Sequence, residues 1–387
     1  MRVTKRDLYN ANVWGGRDLK GWRSLSALTC LIVFCPLFSL AQGSQQVISA
    51  TPADLSKWDL ICFCMTSVNT PHFAVRADTN GQILYYAQSG ATKSQIEQAI
   101  GKPVLTSQLV LLQDWRLLRR SGEVYTTSIP VLGPEKIGQL REQMRNLASN
   151  IAPAIRPDVE QIASNLEHRN LSDHLYSVLF SYVLDGLTWD ELKSDKAIPE
   201  LQITASHPFW DGTFWALYPS RTAQPGTNSS GPDGITLMMT WTDLVLSQLN
   251  TLQNTPGLAP ALQRAARGDC QHLSIEDGAH NRWDLARPDG SCALPVIHEN
   301  ANDPIYASGI RIAKRIDDAV QSNDIQKLIG GGATLQQAHL IEAHELIWEV
   351  LDALAQQGIV QQPAVLKEGT TDPTKLLPLL VITVQEH

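Results

Sequence analysis

The sequence predicts an α+β fold in which helical segments near both ends flank a central loop-rich, aromatic-rich lobe. Three observations predict it. Apolar residues recur at helical spacing through residues 106–119 and again through 334–357. Short strand-like runs lie between and after them: EVYTTSIPV at 123–131, ITLMMTW at 235–241 and LLPLLVITV at 376–384. Between residues 203 and 292 the composition shifts to Trp210, Trp215, Tyr218, Trp241 and Trp283 set among many Gly and Pro.

The chain of 387 residues opens with a basic region (Arg17, Lys20, Arg23) and an apolar run, SLSALTCLIVFCPLFSLA, that ends in Ser39-Leu40-Ala41. That order is expected of a cleavable signal peptide cut near Ala41. The run is short for a membrane span, which needs about 20 apolar residues. An uncleaved signal anchor is the alternative, and only under it is a membrane a partner. Cleavage removes six basic and two acidic residues, so 31 basic and 39 acidic residues become 25 and 37, a formal charge of −12. An acidic chain repels polyanions unless basic residues are concentrated in a patch. Such a chain is expected outside the cytoplasm, secreted or periplasmic, with length for two or three domains.

Cys30 and Cys35 leave with the signal, and Cys62, Cys64, Cys270 and Cys292 stay. Cys270 and Cys292 flank a polar, turn-rich loop, and a disulfide between them would stabilise by about 3 kcal/mol. Cys62 and Cys64 lie on an apolar run read as a helix over 53–65, where they are expected to be buried thiols.

Next comes a folded unit at 52–132. HFAVRADTNGQILYYAQ has alternating apolar residues around Asn80-Gly81, a hairpin signature. A short helix over 92–100 stops at Gly101, and a longer one is expected over 106–119 before Ser121-Gly122 turns into a strand. The order of short helix, turn, long helix and strand in TKSQIEQAIGKPVLTSQLVLLQDWRLLRRSGEVYTTSIPV resembles the winged helix-turn-helix superfamily, over about residues 53–131. That resemblance implies DNA binding through the second helix and the wing. Gln108, Gln113 and Arg116, with Arg119 and Arg120, are then the residues placed to read or hold DNA, because Gln pairs with adenine and Arg with guanine. Ser107 and Asp114 share the exposed face. The helix has one interior base matched by one acid and no lysine, so a solvated face explains the same residues.

Residues 133–202 read as linker and core helices, a polar pair broken at Pro153 and Pro157 followed by an apolar helix over 173–187. The 203–300 lobe holds SHPFWDGTFWALYPSR, which gathers His207, Trp210, Asp211, Trp215, Tyr218 and Arg221. Indoles and a phenol beside Asp, His and Arg can stack and orient a flat or sugar-like ligand; the same residues serve as core anchors. Residues 226–234, GTNSSGPDG, lack any phosphate-loop or nucleophile-elbow pattern and read as a surface loop. Asn170-Leu171-Ser172 and Asn228-Ser229-Ser230 match the glycosylation sequon.

In the C-terminal unit, 301–387, helices over 305–320, 324–329 and 334–357 precede the last strand, an order similar to the first unit and read as a second winged-helix-like module. His339, Glu342, His344 and Glu345 lack the His-Glu-x-x-His spacing of a zinc helix and are expected on a solvated face. No metal, no cofactor and no catalytic constellation is indicated. The reading is an exported, non-enzymatic protein whose winged-helix-like modules form a scaffold or interaction surface for a protein partner, with a small ligand in the central lobe. Its rivals are a DNA-binding regulator with a misread or anchored N-terminus, and a secreted hydrolase using the central lobe.

Overall fold

The structure is a computed structural model that describes residues 58–64, 72–199, 212–221, 224–330 and 332–386. The expected signal segment, His207, Trp210 and Asp211 lie outside the described residues, as do the side chains of Cys62, Cys64 and Trp215. The chain is mixed α and β, as its sequence predicts.

The first unit runs β1 (Trp58–Cys64), α1 (His72–Arg76), α2 (Asn80–Tyr86), β2 (Ala91–Thr92), α3 (Lys93–Ile100), α4 (Thr106–Asp114), β3 (Leu118–Ser121) and β4 (Val124–Thr127). Strands β2, β4 and β3 make an antiparallel sheet in that order. Thr92 starts α3 with a capping box shared with Gln95, and Gly101 ends it at φ 75°. Helix α4 stops five residues before Arg119, because Arg116 turns left-handed at φ 56° and sends Leu118 into β3.

Two expectations fail in this unit. The helix expected over 53–65 is strand β1 from Trp58 onward. It pairs antiparallel with β5 (Gly212–Pro219) and stands between two cores: Trp58 and Leu60 pack into one, Ile61 into the other. A strand buried on both faces has no polar side and reads like a buried helix. The hairpin expected at Asn80-Gly81 is the start of α2. Asp78 takes the left-handed turn instead, at φ 46°, and buried Asn80 donates from Nδ2 to the Ala74 carbonyl at 2.6 Å.

The second core is built on α5 (Pro134–His168), which runs unbroken through Pro153 and Pro157. Both prolines are exposed, while Ile137, Leu140, Met144, Ala148, Ile155 and Val159 keep one apolar stripe facing the core. Packing of that stripe overrides the local cost of proline. A 3₁₀ turn (Ser172–His174), α6 (Leu175–Ser177) and a π-helix (Val178–Leu187) form the apolar segment expected at 173–187, and α7 (Thr188–Ser194) follows it.

Beyond β5 come β6 (Gly226–Ser230), β7 (Ile235–Trp241), α8 (Leu246–Gln253), α9 (Leu258–Ala266), β8 (Ser274–Glu276), β9 (Arg282–Asp284) and β10 (Val296–Glu299). The chain ends with α10 (Pro304–Ser322), α11 (Gln326–Ile329), α12 (Leu335–Gln356), α13 (Val365–Glu368), a 3₁₀ segment (Pro373–Leu379) and β11 (Leu380–Gln385). The segment expected as a surface loop at 226–234 contributes β6, with Asn228 buried and accepting from the Trp241 indole at 3.0 Å. Strands β10, β11, β7 and β6 form one sheet. The C-terminal strand therefore pairs with β7 and β10 of the central region, and α10 and α12 pack on α5. Residues of 203–300 and of 301–387 share a single core with α5. Cys270 and Cys292 are joined by the expected disulfide.

Candidate functional site

Two places gather the residues singled out by sequence. The first is the outward side of α1, α4 and the β3–β4 hairpin. Gln108, expected on the exposed face of α4, is buried instead. Its Oε1 accepts from the Leu105 backbone N–H at 2.9 Å, and its Nε2 donates to Thr79 Oγ1 at 3.1 Å and Asn80 Oδ1 at 3.0 Å. A polar side chain below α4 is tolerated because these partners satisfy it. Gln113 is half-buried, whereas Arg116, Arg119 and Arg120 are exposed. Arg120 is engaged locally, with Nη2 3.1 Å from Glu123 Oε1 and its guanidinium over the Tyr125 ring. Exposed large apolar residues stand among the polar ones: Phe73 on α1 is 58 % exposed, Leu105 before α4 58 % and Val110 on α4 47 %, beside exposed Thr106, Ser107 and Asp114. With Val124 on the hairpin, this unit holds four of the six exposed large hydrophobic residues among the described residues.

The second place joins β5 to α5 and α12. Alternation along β5 turns Leu217 into the first core and Ala216 and Tyr218 into the second. Arg221 follows the strand and lies across α12, donating from Nε to Glu345 Oε2 at 2.8 Å and from Nη2 to Glu349 Oε1 at 2.5 Å. Arg141 of α5 donates to the same Glu345 oxygen at 2.8 Å and to the Pro219 carbonyl at 2.9 Å. Arg145, one turn on, lies 3.8 Å from Glu349. The Tyr218 hydroxyl and His344 Nδ1 are hydrogen-bonded at 2.8 Å.

Electrostatics follow from that packing. Burial works against the Glu345 charge, but the His344 hydrogen bond and the Arg221 and Arg141 charges prevail and hold its carboxyl well below the usual range. Burial and the Glu345 charge push the Tyr218 phenol well up. Asp185, on the π-helix, moves the opposite way from Glu345. Burial raises it against hydrogen bonds from the Trp189 indole, at 3.0 Å, and from Thr227, and against the His344 charge. Burial also pushes Glu342 up to about 8, although Asn323 donates to it.

The solvated charged face expected for α12 is thus corrected. His339, Glu342, Glu345 and Glu349 are all buried. A helix with apolar residues on every side, as in HLIEAHELIWEVLDALA, has no solvent face left for its charges, so they must find partners inside. That all-round pattern was the available signal. The arginines that answer it, Arg141 and Arg145, lie about 200 residues away on α5 and carry no local mark.

Of the proposed ligand wall, Tyr218 and Arg221 are described, and both are committed to α12. Their groups are matched donor to acceptor, which makes the cluster a buried clasp between α5, β5 and α12. Among the described residues no group of three or more His, Cys, Asp or Glu is placed to hold a metal ion, and no helix is long and apolar enough to cross a membrane. Comparison of the chain with protein-family models, with curated proteins and with solved structures finds no match.

Proposed function

We propose that this chain is an exported, non-enzymatic protein in which residues 72–131 act as a winged-helix-like module that docks another protein. The helix order and the β2-β4-β3 sheet support the winged-helix reading. One observation carries the choice of partner. Phe73 on α1, Leu105 before α4 and Val110 on α4 are exposed, while Gln108, one of the residues expected to read a base, is spent inside. Exposed apolar groups gain free energy when a protein surface covers them; a hydrated phosphate backbone does not supply that gain. The basic and apolar N-terminal run, read from sequence as a signal peptide cut near Ala41, supports the same choice, because an exported chain is removed from chromosomal DNA.

The test has two arms. N-terminal sequencing of the protein from its native cell should find a chain that starts after Ala41. A photo-crosslinking residue at Val110 should yield a discrete protein adduct in that compartment, one lost on Phe73→Glu and Leu105→Glu. A full-length cytosolic protein that retards duplex DNA, with retardation lost in Arg116→Glu and Arg119→Glu, would sink the proposal.

A further inference from the structure

Charge is divided unevenly along the chain. Residues 72–131 carry six basic and four acidic residues, whereas residues 132–387 carry 18 basic and 31 acidic ones. Inside the first unit, part of this charge is matched locally: Lys93 Nζ lies 3.7 Å from Glu97 Oε1, and Arg120 Nη2 lies 3.1 Å from Glu123 Oε1. Arg116 and Arg119 are different. Both are exposed, and among the described residues their guanidinium groups make no ion pair or hydrogen bond. Asp114 is exposed two residues before Arg116 and pairs with neither.

Two further features mark the same turn between α4 and β3. Arg116 stands at φ 56°, a left-handed position that glycine or asparagine fills with less strain. Trp115, the residue before it, is buried and holds Phe73 edge-on, with ring centroids 5.5 Å apart and planes at 84°. An exposed aromatic ring is therefore fixed against the neighbour of an unpaired guanidinium. Aromatic rings and arginines are the side chains that most often anchor a protein interface.

We infer that the partner of this module presents an acidic segment, whose carboxylates meet Arg116 and Arg119 and whose apolar side chain covers Phe73. The inference rests on the docking role proposed above and adds the chemistry of the partner. Guanidinium groups bind carboxylates through two parallel hydrogen bonds, and they bind phosphates in the same way. Phe73 decides between these anions, because a phosphate backbone brings no apolar group to cover the ring. The acidic surface of residues 132–387 repels an acidic partner and so confines it to this turn.

The test is fluorescence anisotropy of the full exported chain with three probes: a peptide of glutamates interspersed with leucines, the same peptide with glutamine at each glutamate, and a short DNA duplex. The acidic peptide should bind about tenfold or more tighter than its glutamine control. That advantage should shrink to nothing between about 50 mM and 500 mM salt. Arg116→Gly with Arg119→Gln should lose about tenfold for the acidic peptide alone. Arg116→Gly by itself relieves the left-handed strain, so it serves should the double variant fail to fold, and it should lose about threefold. Equal binding of the two peptides, unchanged binding in a folded variant, or tighter binding of the duplex would overturn the inference. So would a salt-sensitive dimer in sedimentation, which would make a second copy the occupant. A protein adduct at Val110 that forms equally well in the double variant would leave docking intact and overturn only its acidic chemistry.

Discussion

Arg221 and Glu345, 124 residues apart in sequence, meet at 2.8 Å with only 12 % and 1 % of their side chains exposed. Removing one partner of a buried pair leaves the other charge without compensation, which costs about 3–5 kcal/mol. Here Arg141 shares the same oxygen, so Glu345→Ala takes a partner from two guanidinium groups, but Arg221 keeps Glu349 and Arg141 keeps the Pro219 carbonyl, which sets the loss at the lower end. Glu345→Gln keeps the volume and one acceptor and should lose about half as much. Urea unfolding monitored by tryptophan fluorescence measures both. A loss below about 1 kcal/mol for the alanine variant would mean that the clasp does not hold β5 to α12.

Glu342 makes stability depend on pH in a window set by its own values. Its carboxyl has an ordinary value of 4.5 and is pushed up to about 8 by burial, against a hydrogen bond from Asn323. The folded chain therefore binds a proton that the unfolded chain releases between those values. Stability from this group is full below 4.5 and declines until the pH passes about 8. The decline is at most about 5 kcal/mol, as an order of magnitude. Glu342→Gln keeps a hydrogen-bonding group without the charge and should be the more stable protein at pH 9 but not at pH 4. Chemical denaturation of both proteins at the two pH values decides it, and parallel curves would rule the effect out.

How far these features were legible depends on whether their cause is local. The start of α3 at Thr92, its stop at Gly101, the start of α12 at Thr334 and the Cys270–Cys292 bridge come from neighbouring residues, and all are read from sequence. Strand β1 and the unbroken α5 are not, because the first is defined by β5 more than 150 residues later and the second by its packing on α10 and α12. The clasp was half visible. Tyr218 and Arg221 stood out by type, but the residues they serve, His344, Glu345 and Glu349, looked like a solvated face until tertiary packing closed over α12.

Gln108 should act as a structural residue. Its side chain accepts from Leu105 and donates to Thr79 and Asn80, tying the start of α4 to the start of α2. Gln108→Ala leaves buried partners unsatisfied and should lower stability by about 2 kcal/mol. Thermal unfolding measures this. A variant as stable as wild type would place the side chain outside the core.

The disulfide joins two cysteines with a sequence separation of 22 and closes a loop that contains the β8–β9 hairpin. Replacing Cys270 and Cys292 together by serine should cost about 3 kcal/mol. Part of the loop has a second tether, because Arg287 donates to the carbonyls of Arg169 and Asn170 at the end of α5. Adding Arg287→Ala to the double serine variant should therefore lower stability beyond the sum of the separate losses. Unfolding of the four proteins in a mutant cycle tests that coupling, and strict additivity would show two independent tethers.

Pro153 and Pro157 oppose the helix they stand in. Each lacks the N–H that would bond four residues back, and each disfavours helical backbone at the residue before it, Ala152 and Arg156. Alanine at a helix interior is better than proline by about 3 kcal/mol, of which roughly 1 kcal/mol is given back because proline also restricts the unfolded chain. Both side chains face solvent, so no packing is lost. Pro153→Ala and Pro157→Ala should each raise stability, by about 1–2 kcal/mol, seen as a higher midpoint in thermal unfolding. A fall in stability would mean that α10 and α12 are fitted to a bend that the prolines impose on α5.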